Sequence, residues 1–180
     1  MVILHAFQAA ALAASAIAAV TDARNGRIPN WLTLPVSGSA LVAHAVARGA
    51  WGVTESAAGL VLCGGVPLVL FRASRGRAIG GGDVKLFGAL GALLGPTMGL
   101  EIELGALALL LIVALARLAY SGQLLRVVGA TARLLASPFS KGTNKVAAVA
   151  LTEMRLGPAI ALATVVSVAS QYLARWVPWL

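Results

Sequence analysis

A stretch without a single charged side chain runs from residue 104 to residue 116 and reads LGALALLLIVALA. Five further stretches of the 180-residue chain also lack Asp, Glu, Lys and Arg, namely 1–21, 31–47, 56–71, 86–100 and 156–174. Charged residues make up 11% of the chain, against about a quarter in soluble domains. One soluble core could not bury six such stretches, whereas a bilayer can, because a spanning helix needs about 20 mostly apolar residues. The sequence therefore predicts an all-α, polytopic membrane protein.

The predicted architecture is a single membrane-embedded domain with six transmembrane helices. We expect them at about residues 2–20, 31–47, 52–71, 84–100, 104–120 and 156–176, with the connections 21–30, 72–83 and 121–154 on one side of the membrane. The longest connection is too short for a conventional extramembrane domain, which excludes a separate nucleotide-binding, receptor or soluble catalytic domain. Cys63 is the single cysteine, so neither a disulfide framework nor a CxxC zinc site is expected.

Positive charge is distributed unevenly between the two sides. Twelve of the 14 Lys and Arg residues fall in or beside the connections 21–30, 72–83 and 121–154, whereas Arg48 and Arg175 fall on the opposite side. The positive-inside rule makes the three connections cytoplasmic and predicts that both termini are outside, in the periplasm. This topology and anionic lipid account for the net charge of +8, so we expect the lipid bilayer, and no nucleic acid, as a partner.

Two local patterns predict helix packing. Gly88, Gly91 and Gly95 share one face of the fourth span, and such small faces let membrane helices approach closely. In 122–136, apolar residues recur at helical spacing opposite two arginines. This segment is predicted to be an amphipathic helix, either on the inner leaflet or packed against the other cytoplasmic loops.

Two acidic residues are the candidates for chemistry. Asp22 is predicted at the exit of span one and Asp83 at the entry of span four, both at the cytoplasmic boundary. The other four acids fall on the outer face or in a basic loop (Glu55, Glu101, Glu103 and Glu153). Two carboxyl groups at close range share a proton, and such a pair can activate water and polarise a peptide carbonyl. Alternatively, Asp22 pairs with a nearby arginine and Asp83 caps a helix; the spacing leaves both interpretations open.

The residues around Asp83 add to this site. Gly80 and Gly82 form a G-x-G-D sequence, in which glycines permit close approach by an extended peptide, whereas a phosphate-binding loop lacks its usual context. Lys85 follows Asp83 by two positions, so on a helix it faces elsewhere, toward the interface, lipid or substrate. The placement of Cys63, His5 and His44 within or toward the outer side of the spans argues against a Cys/His catalyst or a metal site.

At these residues the sequence resembles the type IV prepilin peptidases. TDAR at 21–24, GRIPN at 26–30 and Leu32-Thr33 are similar to the first catalytic motif of that family. GGGDVKL at 80–86, continued by Gly88, Gly91 and Gly95, is similar to the second, and GPAIA at 157–161 to a less specific signature in the last helix. The resemblance extends in order over nearly the whole chain.

The resemblance implies an aspartic endopeptidase of the bacterial inner membrane. Its substrates would be prepilins or pseudopilins, cut at the cytoplasmic face just after a glycine that ends a short basic leader, and the pilus assembly machinery would be a further partner. It implies that Asp22 and Asp83 form the catalytic pair and requires no metal or organic cofactor. The motif positions that it assigns to substrate or loop are Gly80, Gly82, Lys85, Arg24, Pro29 and Asn30.

One departure from the family narrows the expectation. Bifunctional members carry a cytoplasmic insertion with paired CxxC motifs, associated with zinc and with N-methylation, where this chain has about ten residues. The chain therefore resembles the minimal, peptidase-only branch of Flp-type (tight-adherence) pilus systems. Two other functions stay open from the sequence: a small proton-coupled transporter component that uses the two aspartates as a relay, and a catalytically silent assembly partner.

Overall fold

The computed structural model describes residues 2–76, 79–122 and 156–176. Within these residues the chain forms five α-helices and no strand, which confirms the all-α prediction. The helices are α1 (Val2–Asn25), α2 (Asn30–Ala73), α3 (Gly81–Leu94), α4 (Pro96–Tyr120) and α5 (Leu156–Trp176).

Four of these helices, α1, α2, α4 and α5, are long and apolar enough to cross a membrane. The 44 residues of α2 would span about 66 Å if straight, twice the hydrocarbon thickness of about 30 Å. However, Gly49 has non-helical angles (φ 62°, ψ −145°), and residues 33–37 and 60–71 contribute side chains to one common cavity. Residues 30–48 and 50–73 are therefore two arms that run side by side. The six-span count and the outside position of the termini stay predictions.

Glycines bring the second arm of α2 into close contact with α3. A Cβ placed on Gly91 would lie 2.8 Å from the Cβ of Cys63 and would also meet the backbone of Gly59. The Ser56 hydroxyl donates a hydrogen bond to the carbonyl oxygen of Ala92 at 2.8 Å. The close packing expected from the glycine face of this segment is thus confirmed.

Helices α1 and α5 pack antiparallel. His5 Nδ1 and the Tyr172 hydroxyl share a hydrogen bond of 2.7 Å, and one turn further along α1 the Gln8 amide donates to Oε1 of Gln171 at 2.9 Å. The residue number rises in α1 from one hydrogen bond to the next while it falls in α5, so the two helices are antiparallel. The beginning of α5 therefore lies beside the end of α1.

The turn between α3 and α4 lies earlier than the boundary predicted between spans four and five. Gly95 has a φ of 81°, and Pro96 begins α4, where its missing N–H costs no helical hydrogen bond. Glu101 and Glu103, which we expected in an outer connection, therefore lie within α4, and Glu103 is 2% exposed. A glycine with positive φ followed by a proline ends a helix at that point, and the position of the next charged residues does not affect where the helix ends. As a result α3 has 14 residues, about 21 Å.

The chain divides into two compact units. The first contains the residues up to Leu107 together with α5, and the second begins at Ala108 and includes the remainder of α4. The amphipathic helix predicted over 122–136, and nearly all of the connection 121–154, lie outside the described residues. All of the site described below belongs to the first unit.

Candidate active site

Asp22 lies in the last turn of α1, and 8% of its surface is exposed. The helix ends here because Gly26 adopts a φ of 64°, a backbone conformation that favours glycine. The Gly26 N–H donates a hydrogen bond to the Asp22 carbonyl oxygen at 2.8 Å. The Asp22 side chain also accepts a hydrogen bond: the Gly157 N–H at the start of α5 donates to Asp22 Oδ2 at 3.0 Å. This amide lies in the first turn of α5, where backbone N–H groups have no partner within the helix and are free to bind an acceptor.

Gly157 allows this contact because it has no side chain. A Cβ at this position would lie 2.7 Å from the Cβ of Asp22 and 2.9 Å from its Oδ2, closer than side chains tolerate. Pro158 follows in the first turn of α5, where proline is accepted. The sequence pointed to Gly157 and Pro158 as part of a last-helix signature but did not assign them to the site. A Gly-Pro pair at a helix start was the available signal, and it carries no information about which side chain it meets.

Asp83 lies in the first turn of α3, three residues after Gly80, which precedes the helix in an extended conformation. The Gly80 N–H donates a hydrogen bond to Asp83 Oδ2 at 3.2 Å. This contact is one half of a capping box, in which an acidic residue at the third helical position satisfies a free backbone N–H. This contact confirms the helix-capping interpretation of Asp83, while a catalytic role beside Asp22 stays a prediction.

The segments that carry the two aspartates pack directly on each other. Gly82 faces the connection between α1 and α2, where a Cβ on it would lie 3.0 Å from the Cβ of Ile28 and 3.3 Å from its backbone nitrogen. Ile28 is itself buried, with 8% exposure. Close approach at Gly82 thus joins the motif at 21–30 to the motif at 80–86.

The two carboxyl groups are near enough to influence each other. Burial first, and the negative charge of Asp22 second, raise the pKa of the Asp83 carboxyl from 3.8 to about 6, against the opposing effect of the hydrogen bond from Gly80. Asp83 lies in α3, outside the four helices that could span the membrane. Two acidic residues 61 positions apart are thus brought close together, with the buried Asp22 bonded to a helix amide and the half-buried Asp83 carrying a raised pKa.

The remaining predicted site residues surround this pair unevenly. Lys85 turns away from Asp83, as expected from their spacing, and its Nζ donates a hydrogen bond to Oδ1 of Asn30 at 2.8 Å. Pro29 precedes α2 with extended backbone angles and positions that helix start. Arg24 is exposed. Asn30 and Lys85 thus link the two motifs, while Arg24 lies at the surface.

Metal ligands do not gather at this site. Within 2–76, 79–122 and 156–176, no group of three or more His, Cys, Asp and Glu side chains comes close enough to hold a metal ion. The acidic pair can act on water directly, because one carboxylate can accept a proton while the other carboxylic acid donates one.

The model of the type IV leader peptidase family matches residues 9–122, which is more than half of the chain. This match includes Asp22, Asp83 and the glycines around Asp83. No curated protein and no solved structure matches the chain.

Proposed function

Because the chain belongs to the type IV leader peptidase family, we propose that it is an aspartic endopeptidase whose catalytic pair is Asp22 and Asp83. The observation that carries this proposal is the packing of the two aspartate-bearing segments on each other, with Gly82 against Ile28, which leaves the charge of Asp22 close enough to raise the pKa of Asp83. Paired carboxyl groups with different proton affinities are what the hydrolysis of a peptide bond requires in the absence of a covalent intermediate.

We propose a separate role for each of the two side chains, supported by their different surroundings. In this proposal Asp22, which accepts a hydrogen bond from the Gly157 N–H, is the general base and takes a proton from water as the water oxygen bonds to the scissile carbonyl carbon. Asp83 is the protonated member and donates to the carbonyl oxygen. When the tetrahedral intermediate collapses, the C–N bond breaks, Asp22 passes its proton to the leaving amine, and Asp83 takes back a proton from a hydroxyl of the intermediate. The products are a leader that ends in a carboxylate and a mature chain with a free amino group.

The substrates that we propose are prepilins or pseudopilins, processed at the cytoplasmic face of the inner membrane. Support for the orientation is the placement of twelve Lys and Arg residues on one side of the predicted topology. Single cysteines introduced at Ala50 and at Ser74, with Cys63 replaced by Ser, test it. An impermeant thiol reagent added to intact cells should label the first position and not the second; the reverse pattern would contradict the orientation.

Peptidase activity without N-methylation is the expected extent of the chemistry. Only residues 26–29 separate α1 from α2 in the place where bifunctional relatives carry their CxxC insertion, and Cys63 is the one cysteine. This supports assignment to the Flp-like, peptidase-only branch. The mass of the mature amino terminus after co-expression measures this directly. We expect an unmodified amine, and a product one methyl group heavier would contradict the assignment.

The decisive experiment is co-expression of one candidate prepilin with Asp22→Asn or Asp83→Asn. Each variant should reach the membrane and leave the leader attached, as judged by gel shift and amino-terminal mass. Glu55→Gln is the matched control, because Glu55 pairs with Arg48 away from the acidic pair, and this variant should process the substrate normally. Normal processing by either aspartate variant would rule out the pair as catalysts. Proton flux through liposomes that contain the wild-type protein would instead favour the transporter alternative.

A further inference from the structure

A cavity of about 690 Å³ opens between the two arms of α2 and the first half of α3. Its wall on the second arm extends from Leu60 to Phe71, which corresponds to about 17 Å along the helix axis, or three turns. The first arm contributes Thr33 and Ser37 to the opposite wall. Apart from these hydroxyls and Lys85, the lining is apolar, and the volume lies within the usual range for binding pockets of roughly 300–1,000 Å³. We name this cavity the α2/α3 groove.

The α2/α3 groove begins at the candidate active site. Gly81 and Lys85 line it, and both lie within two residues of Asp83. From there the groove follows the second arm of α2 toward Leu60, away from the acidic pair. If the scissile bond of a substrate lies beside Asp83, the residues on one side of that bond would therefore lie in this groove.

Thr33 provides a second, independent observation. Its side chain is 1% exposed and lines the groove, yet its Oγ1 has no hydrogen-bond partner among the residues that the structure describes. A buried hydroxyl without a partner is unfavourable, because it has lost its hydrogen bonds to water and gained none in return. Thr33 lies one turn into α2 from Asn30, which contacts Lys85, so the hydroxyl belongs to the end of the groove near the acidic pair. An occupant that offers a polar group at this end would satisfy it.

We propose that the α2/α3 groove binds the apolar helical segment that directly adjoins the scissile bond of the substrate on its membrane side. The inference rests on the proposed function and extends it to the recognition of the substrate. A peptide within the bilayer must be helical, because lipid cannot satisfy its backbone polar groups, and one face of an apolar helix fits an open apolar groove. Where that helix unwinds for cleavage, its backbone carbonyls lose their partners, and the Thr33 hydroxyl can donate to one of them. The hydrocarbon of a lipid chain offers no such acceptor.

Gly65 allows the groove to be filled without disturbing the protein. It lines the groove, and a Cβ added to it meets no atom within 4 Å. Gly38 is the matched control, because it is also a helical glycine of α2 with open space around its Cβ, but it does not line the groove. Gly65→Leu should raise the KM for a prepilin in proteoliposomes about tenfold relative to Gly38→Leu, with a smaller change in kcat, as expected from loss of about 1.4 kcal/mol of binding. Equal KM values in the two variants would overturn the proposal.

Photocrosslinking tests the same groove without turnover. A photoreactive amino acid at Val61, which lines the groove and is 67% exposed, is compared with one at Val42, which is 64% exposed on the same helix outside the groove. In an Asp83→Asn background the uncut prepilin should crosslink through its apolar segment from Val61 and not from Val42. Adducts from Val61 that contain only lipid, or another part of this chain, would overturn the proposal. Failure of the proposed function has a different signature, since Asp83→Asn would then still remove the leader.

Discussion

The backbone N–H of Gly157 donates a hydrogen bond to the Asp22 carboxylate across 3.0 Å, although the two residues are 135 positions apart. The start of the last helix thereby contacts Asp22 through its backbone. Substituting Gly157 with Ala would place a methyl group 2.7 Å from the Cβ of Asp22. Because displacement of a catalytic group by about 1 Å can cost up to roughly 100-fold in rate, we expect Gly157→Ala to lower kcat by about 10- to 100-fold.

The control for this prediction is Gly105→Ala. A Cβ on Gly105 would lie 3.5 Å from the Cβ of Ala163 in α5, an ordinary van der Waals contact, so this variant should retain its rate. Steady-state kinetics on purified, detergent-solubilised protein compare the two variants. An unchanged kcat in Gly157→Ala would mean that the amide of α5 does not position Asp22.

The pH dependence of the reaction follows from the raised pKa of Asp83. Catalysis as proposed requires Asp83 in its protonated form, and its pKa of about 6 means that this form is lost as the pH rises above that value. We therefore expect kcat/KM to fall by about tenfold per pH unit on the alkaline side of pH 6. Initial rates between pH 5 and 8 at constant ionic strength measure this profile. A rate that rises across the interval would reverse the roles assigned to the two aspartates.

The same shift in pKa predicts how stability depends on pH. Between pH 3.8 and about 6 the folded protein holds a proton on Asp83 that the unfolded chain releases, so this contribution to stability is lost as the pH rises through that window. Asp83→Asn removes the buried charge and should increase the free energy of unfolding at pH 8 by about 1–3 kcal/mol, with a smaller gain at pH 5. Thermal unfolding at both pH values tests this, with Glu55→Gln as a carboxylate control. A larger gain at pH 5 than at pH 8 would contradict the sign.

Lys85 and Asn30 are predicted to stabilise the contact between α3 and the start of α2. Their hydrogen bond of 2.8 Å is exposed, so its contribution should be modest, about 0.5–1 kcal/mol. Lys85→Met and Asn30→Ala should each lower the melting temperature slightly, and the double variant should lose less than the sum of the two. Fully additive losses in this double-mutant cycle would show that the pair does not interact in solution.

We predict that any side chain added at Gly91, where α3 crosses the second arm of α2, destabilises the protein. A Cβ there would lie 2.8 Å from the Cβ of Cys63, so Gly91→Ala should destabilise the protein by about 1–3 kcal/mol through overpacking. Gly38→Ala, which adds the same methyl group to an open position, should be neutral or slightly stabilising. Thermal unfolding in detergent distinguishes them. Equal stability of the two variants would mean that the crossing relaxes to accept the methyl group.

The fold was predictable from the sequence as far as local composition reaches. Long charge-free stretches specify membrane helices, and the break at Gly49 lies between the predicted spans 31–47 and 52–71. The observed boundary between α3 and α4 differs from the one predicted near Glu101, because the prediction placed the end of the span at the charged residues. The local conformation of Gly95 and Pro96 decides where α3 ends, and Glu103 is then buried within α4.

The candidate site was predictable in its residues but not in its contacts. Asp22 and Asp83 stand out as the two acids at the predicted cytoplasmic boundary, because an ionisable side chain within a membrane protein is unfavourable and therefore indicates a functional site. Their different environments, with one carboxylate held by the Gly157 amide and the other capping α3, have no signature in the spacing of residues. Neither does the α2/α3 groove, which requires the two arms of α2 to lie side by side.

The sequence by itself therefore determined the helical class, the helices apolar enough to cross a membrane and the two candidate aspartates. These follow from the cost of placing charge and unsatisfied backbone groups in lipid, which depends on composition within about 20 residues. The tertiary structure alone decided which aspartate meets the start of α5 and where an apolar segment can bind beside Asp83. Those contacts join distant parts of the chain. Their geometry is set by close packing at glycines such as Gly82 and Gly157, and no local sequence pattern predicts which residues these glycines will contact.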